Sequence, residues 1–347
     1  MTKRIEYIDA MRGFTMILVV ACHVVSFCIG VEDDTPSIHP ILLEFRMPTF
    51  FFISGFVLYK ADVIWNMRHI LSFLKNKFFV QIITTTIFFL IYIFLNYYSI
   101  SDGLYSDSKL GYWFTYTLFI YFTVYSICRF FLDFCKCPKV IEDILILCIG
   151  FIFYVLFSIK SIFNTLPIDQ NTKNLLSMCH WGYYLFFCIG TLFKKHYDKI
   201  QVILDTKPVI MVSLIIFFGF NLFNNELRAT HINFFNLMTA LTGIILVFSF
   251  FRKHQSTFTK EKYIGRCLQY IGRRTLDIYL LHYLILPVNL VAFTTPLLRH
   301  PMPLIEFAIT LSLSFIVIAG CLIISSILRM SPTLAYLLFG VKRSSQR

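Results

Sequence analysis

The sequence predicts an all-α integral membrane protein of about ten transmembrane helices with both termini cytoplasmic. Three observations predict it. The 347 residues are 57% hydrophobic and only 14% charged, with a mean hydropathy of +0.72, whereas a soluble chain is nearer a quarter charged. Apolar stretches of about 17–25 residues, the length that crosses a hydrocarbon core, follow one another along the chain with short polar joints. The basic residues crowd into alternate joints. No water-soluble domain can hide that much apolar surface, so a soluble enzyme or a nucleic-acid-binding module is excluded. The formal charge of +12 then reports the sidedness of loops and not a nucleic-acid partner.

The ten spans run approximately over 14–30, 41–59, 78–98, 112–132, 141–160, 174–193, 208–224, 232–251, 275–298 and 303–328. Each must satisfy its own backbone groups in the bilayer, which makes them helices; they are too long and too uniformly apolar for barrel strands. No low-complexity segment, internal repeat or separate soluble domain interrupts them, so residues 1–347 read as one membrane-embedded domain. Lys3 and Arg4 before the apolar run from Phe14 imitate a secretory signal, but no small-x-small cleavage site closes it, and it reads as a retained first span. Most cysteines lie inside apolar runs, where they act as small hydrophobes. Cys135 and Cys137 lack the spacing and the second pair of a zinc site, so neither a metal nor a disulfide framework is expected.

Orientation follows from the charges. With the N-terminus in the cytoplasm, the cytoplasmic joints carry clusters such as Lys60, Arg68, Lys75 and Lys77, or Lys194, Lys195, Lys199 and Lys207, or the seven basic residues from Arg252 to Arg274. The opposite side holds only Lys109, Lys160, Lys173, Arg228 and Arg299, beside acids such as Asp33, Asp34 and Asp102. Such a bias in every joint is the positive-inside pattern.

Two arginines belong to the spans instead, where a charge is costly and marks function. Arg12 stands at the mouth of the first helix, three residues after Asp9 and eleven before His23. Eleven residues make three turns plus about 20°, so Arg12 and His23 share one face about 16 Å apart. Arg46, two residues after Glu44 and ahead of the helix-kinking Pro48, lies about 8 Å below the outer boundary, and His23 about 10 Å below it. In the ninth span Thr275, Tyr279 and His282 form a single stripe, with His282 about seven residues from the cytoplasmic end and therefore in the inner half. His180 and Trp113 are further supporting candidates, Trp113 also fitting an interfacial belt. Taken singly, each of these has a structural alternative: a snorkelling anchor, a packing histidine, a local Glu44–Arg46 pair.

These pieces, in this order, resemble the acyltransferase-3 family of polytopic membrane O-acyltransferases. The resemblance rests on Tyr7-Ile-Asp9-Ala-Met-Arg12-Gly13 with His23, on Arg46-Met-Pro-Thr-Phe-Phe-Phe-Ile-Ser-Gly55-Phe, and on Ile271-Gly-Arg-Arg-Thr275-Leu-Asp-Ile-Tyr279-Leu-Leu-His282. It implies ten helices in a bacterial inner membrane. It further implies an acyl-CoA co-substrate entering from the cytoplasm with no bound cofactor, and O-acylation, most often O-acetylation, of a cell-surface or lipid-linked carbohydrate. Arg12 and His23 match the family's essential pair. A basic pair follows the second helix in many members, and Lys75-Asn-Lys77 is the nearest match here, with lysines where arginines are usual. The esterase-like domain appended to some members is not expected after the last span. With these residues His23 can act as base, Arg46 can stabilise an oxyanion or orient the acceptor, and Arg12, Lys75, Lys77 and Arg274 can hold the donor. A polytopic saccharide exporter using the same buried residues as a proton relay remains the competing class.

The charge pattern makes a direct prediction. In a cysteine-free background, single cysteines at positions 33 and 102 should react with an impermeant thiol reagent applied from outside, and one at position 266 should not. The reverse pattern of labelling would overturn the orientation.

Overall fold

The computed structural model describes residues 5–30, 39–61, 63–106, 108–158, 167–169, 172–174, 179–204, 206–222, 224–290 and 303–341, and every regular element among them is helical. The start of the sixth expected span (175–178), the far end of the ninth (291–298) and the acidic residues 32–34 lie outside the described residues. Five helices among the described residues are long and apolar enough to cross a membrane: Glu6–Ile29, Met67–Leu95, Trp113–Phe134, Phe234–Lys253 and Leu304–Leu328. The chain divides into two compact units, one of residues 1–53 and 196–325, the other of 54–195 and 326–347.

The first unit begins with α1 (Glu6–Val24). Glu6 and Asp9 in its first turn complement the positive end of the helix dipole. A π-turn over Val25–Ile29 prolongs it to Gly30, whose φ of 76° ends the helix in the left-handed conformation that glycine adopts without strain. In α2 (His39–Leu58), Pro48 has no N–H to give the Glu44 carbonyl, and the Thr49 hydroxyl bonds back to the carbonyl of Phe45 at 2.7 Å.

The second unit holds α3 (Met67–Lys77), α4 (Thr84–Leu95), the short α5 (Ile100–Tyr105), α6 (Trp113–Phe134), α7 (Lys139–Ser158) and α8 (Tyr184–Lys195). The segment carrying Arg68, Lys75 and Lys77, expected as a polar joint, is helical. Asn66 caps α3 by accepting from His69 N–H at 2.9 Å, and a π-turn over Phe78–Ile83 joins α3 to α4. Hydropathy saw only the apolar end of this helix. Arg129 and Lys195, which look like simple loop charge in the sequence, frame an ion network. Arg129 bonds Asp133 at 2.9 Å and Glu142 at 2.8 Å, and Lys195 bonds Glu142 at 3.3 Å and Asp143 at 2.6 Å. The network ties α6, α7 and α8 together beside a cavity of about 440 Å³. Deeper in the unit, Thr85–Thr115 (2.8 Å) and Thr86–Tyr116 (3.0 Å) hydrogen bonds join α4 to α6, where lipid offers hydroxyls no other partner.

The first unit continues with α9 (Tyr197–Leu204), α10 (Lys207–Leu222), α11 (Asn224–Lys253), α12 (Tyr263–Arg273), α13 (Thr275–Ile285) and α14 (Pro303–Leu328). The second closes with α15 (Pro332–Phe339), capped by Ser331. What positions the site is the packing of α1 on α12. A Cβ on Gly13 would stand 2.0 Å from the Leu268 carbonyl oxygen, and one on Gly272 would stand 1.9 Å from that of Asp9. The two backbones touch, and only glycine fits at either position.

Gly13→Ala should therefore destabilise the protein by about 1–3 kcal/mol or force the helices apart. Gly219→Ala on α10, where an added Cβ meets nothing within 4 Å, should be neutral or stabilise by up to about 1 kcal/mol. Unfolding midpoints of the two variants in detergent would check the contrast.

Candidate functional site

The glycine contact sets a register. Arg12 precedes Gly13 and Thr275 follows Gly272 by three residues, and the Arg12 Nη2 donates to the Thr275 hydroxyl at 3.2 Å. Ten residues beyond Gly13 is His23; ten beyond Gly272 is His282. Their rings lie 5.2 Å apart. Counting from expected span ends had put these histidines in opposite halves of the bilayer. The count fails because Thr275 is level with Arg12, so α1 and α13 run side by side in the same direction from a common level.

The His23 Nε2 and the Tyr283 hydroxyl are hydrogen-bonded at 3.0 Å, and the Tyr283 ring packs 4.9 Å from His23 and 4.1 Å from His282. Phe27, in the π-turn that follows α1, packs against His23 and Tyr283 at 5.8 and 6.2 Å. Tyr279 is buried with its ring 6.0 Å from His282. Arg46 from α2 is buried, and its Nη1 donates to the Val19 carbonyl of α1 at 3.5 Å. Val19 stands about one turn before His23 on α1, so the guanidinium lies near the histidine pair. One helix face thus collects His23, and α2 and α13 add a buried arginine, a second histidine and a phenol.

At the Arg12 end, Asp9 is buried on α1. Asp277, only 1% exposed, accepts from the Ser325 hydroxyl and from the Arg274 Nη1 at 3.2 Å, and the same Nη1 lies 3.0 Å from the Ser325 Oγ. Arg274, which the sequence suggested for the donor, is thus partly committed to a buried carboxylate. Glu44 is half-buried on α2, one turn before Pro48.

The remaining sequence candidates belong to the second unit. The His180 ring packs on Trp113 with centroids 3.9 Å apart and the planes tilted by 45°, its φ of 39° places it in the left-handed region, and its carbonyl accepts from the Tyr121 hydroxyl. Lys77 lies over the Phe122 ring with its Nζ 4.3 Å from the centroid, and Lys75 is exposed on α3.

The sequence reading missed Tyr283, Asp277 as a charge partner, and Ser325. Tyr283 lies at the edge of the Thr275–Tyr279–His282 stripe, about 40° beyond Tyr279. Nothing in the local pattern separates it from the other tyrosines. Ser325 sits in the most apolar stretch of α14, where a serine is unremarkable.

A family model described as an acyltransferase domain matches residues 5–326 of the chain. No curated protein and no solved structure matches it.

Removing one partner of a buried charge pair costs more than the pair contributes. Arg274→Met should destabilise the protein by about 2–3 kcal/mol, allowing for the partial exposure of Arg274. Adding Asp277→Asn should recover most of that loss in the same unfolding assay.

Proposed function

The chain belongs to the acyltransferase-3 family and is a membrane acyltransferase, and from that premise we propose that it transfers an acyl group, acetyl in the first instance, from cytoplasmic acyl-CoA to a hydroxyl of a cell-surface or lipid-linked carbohydrate. We place it in a bacterial inner membrane, with ten spans and both termini cytoplasmic, on the strength of the basic-residue pattern and the family. The helices that coincide with the expected spans support that topology.

The observation that carries the reading is the pair Arg12 and His23 on α1, held at opposite ends of one packed interface with α12 and α13. Their separation of about 16 Å suits an acyl-CoA whose nucleotide stays at the cytoplasmic mouth while its pantetheine arm reaches inward. The acceptor oxygen attacks the thioester carbonyl carbon as His23 takes the hydroxyl proton. Positive charge from Arg46 stabilises the oxyanion. Collapse of the tetrahedral intermediate breaks the carbon–sulfur bond, and the departing thiolate receives the proton from His23, giving the ester and free CoA. Tyr283 holds the His23 ring in place through its Nε2; it is a positioning residue. Arg12, bonded to Thr275, and Arg274, the residue before Thr275, present positive charge to the donor. Lys75 and Lys77 are proposed donor contacts on charge alone, and His180 and Trp113 are proposed supporting residues.

His23→Ala should lower acyl transfer by about 10²- to 10⁴-fold while acyl-CoA still binds. Arg12→Ala should weaken acyl-CoA binding itself, and Arg12→Lys should recover only part, since lysine keeps the charge but not the planar fork. Donor affinity and transfer of labelled acetyl groups to glycans, measured on the same liposome-reconstituted variants, check both. Wild-type transfer by His23→Ala removes that residue from the mechanism. Glycan transport without any consumption of acyl-CoA would make the chain an exporter.

A further inference from the structure

Two buried nitrogens have complementary unmet needs: one on His282, whose ring packs on His23, and one on Arg46, whose guanidinium reaches the Val19 carbonyl one turn before His23. His282 is 0% exposed, and its Nδ1 lies 3.0 and 2.8 Å from the carbonyls of Ile278 and Tyr279. Carbonyls only accept, so Nδ1 carries the proton. A fully buried ring takes the uncharged form, which leaves Nε2 as an acceptor. That Nε2 has no hydrogen-bond partner among the described residues, and neither has the Nε of Arg46, a donor on a side chain 9% exposed. Buried polar atoms are almost always satisfied, and each one left alone costs about 1–3 kcal/mol.

The chemistry that satisfies both is narrow. A carboxylate or phosphate only accepts, and would leave the imidazole lone pair unmet. An ammonium only donates, and would meet the charge of Arg46. A hydroxyl accepts from the guanidinium N–H and donates to the imidazole through one oxygen. We infer that His282 Nε2 and Arg46 Nε form a subsite for one hydroxyl of a polyol, beside the position at which His23 takes the proton from a second. The 5.2 Å between the two imidazole rings fits hydroxyls on neighbouring carbons of one sugar ring. The acceptor is accordingly a vicinal diol, bound through the hydroxyl that does not react. This assignment rests on the acyl-transfer reading for the role of His23; the hydroxyl subsite itself can be tested without it.

The test uses the full-length protein in nanodiscs and, as probes, the methyl glycosides of glucose, galactose and mannose with their monodeoxy analogues. Binding is read by saturation-transfer NMR and acyl transfer with labelled acetyl-CoA. In the wild type, one deoxy analogue should bind roughly 10- to 100-fold more weakly than its parent glycoside. In His282→Phe, parent and analogue should bind alike, because the hydroxyl has lost its acceptor. His282→Gln, whose amide oxygen can accept, should restore part of the discrimination. The ratio of parent to analogue does not depend on the fraction of protein folded, so a merely damaged variant would keep the wild-type ratio. Unaltered discrimination in His282→Phe overturns the subsite. So does a wild type that treats every deoxy analogue like its parent, the result expected if water alone bridges the two nitrogens. Discrimination that depends on His282 with no transfer of label would sustain the subsite and overturn the acyl-transfer reading. Transfer of label without that dependence would do the opposite.

Discussion

The contact between Gly13 and Gly272 governs the first unit. Backbone-to-backbone packing of α1 on α12 leaves no room for a Cβ on either residue, and it fixes the level at which the two helical paths meet. From that level everything else in the site follows by counting residues. Arg12 meets Thr275, and His23 meets His282 and Tyr283. A shift of even one residue at the glycine pair would rotate His23 by about 100° away from its partners. In a bilayer, where apolar side chains gain nothing from leaving lipid, close backbone approach is one of the few forces that can specify such a register.

Polar groups inside the protein follow a second constraint. Each buried charge or hydroxyl needs a local partner, because lipid supplies none. In the second unit this produces a network of two cations and three carboxylates across three helices, and the threonine pairs between α4 and α6. Thr15, Thr49 and Ser314 turn their hydroxyls back on their own helices, bonding the carbonyls four residues earlier at 2.8, 2.7 and 2.6 Å. Among the described residues the Nε2 of His282 and the Nε of Arg46 depart from this rule. The His282 ring packs on His23, which is itself hydrogen-bonded to the Tyr283 hydroxyl.

The proposed roles along α1 give a reason for a membrane helix to carry both Arg12 and His23. The two are separated by three turns on one face, so a single rigid element spaces them while α12 and α13 hold its orientation. The proposed mechanism needs no motion within α1 to bring a donor anchored at one end to a base at the other. The glycine contact supplies the stiffness by joining main chains and not flexible side chains.

Composition and hydropathy were sufficient for the fold class, because the cost of placing charge and unpaired backbone in lipid leaves only long apolar helices as an answer. Spacing on one helix was sufficient to put Arg12 and His23 on a common face, since the helical repeat alone dictates it, and the three motifs were enough to suggest the family. The sequence could not set the relative level of separate helices. Span ends are read from hydropathy, which does not register that Thr275 stands level with Arg12. That is why His282 was expected in the other half of the membrane, and why nothing marked Tyr283, at the edge of the visible stripe, as a partner of His23. The same blindness made Lys75 and Lys77 look like loop charge when α3 carries them on a helix, and made Arg129 and Lys195 look like topology signals when they are network partners. Only the tertiary structure decides such matters, because they depend on where two backbones touch, and that is fixed by residues as small and as featureless in sequence as Gly13 and Gly272.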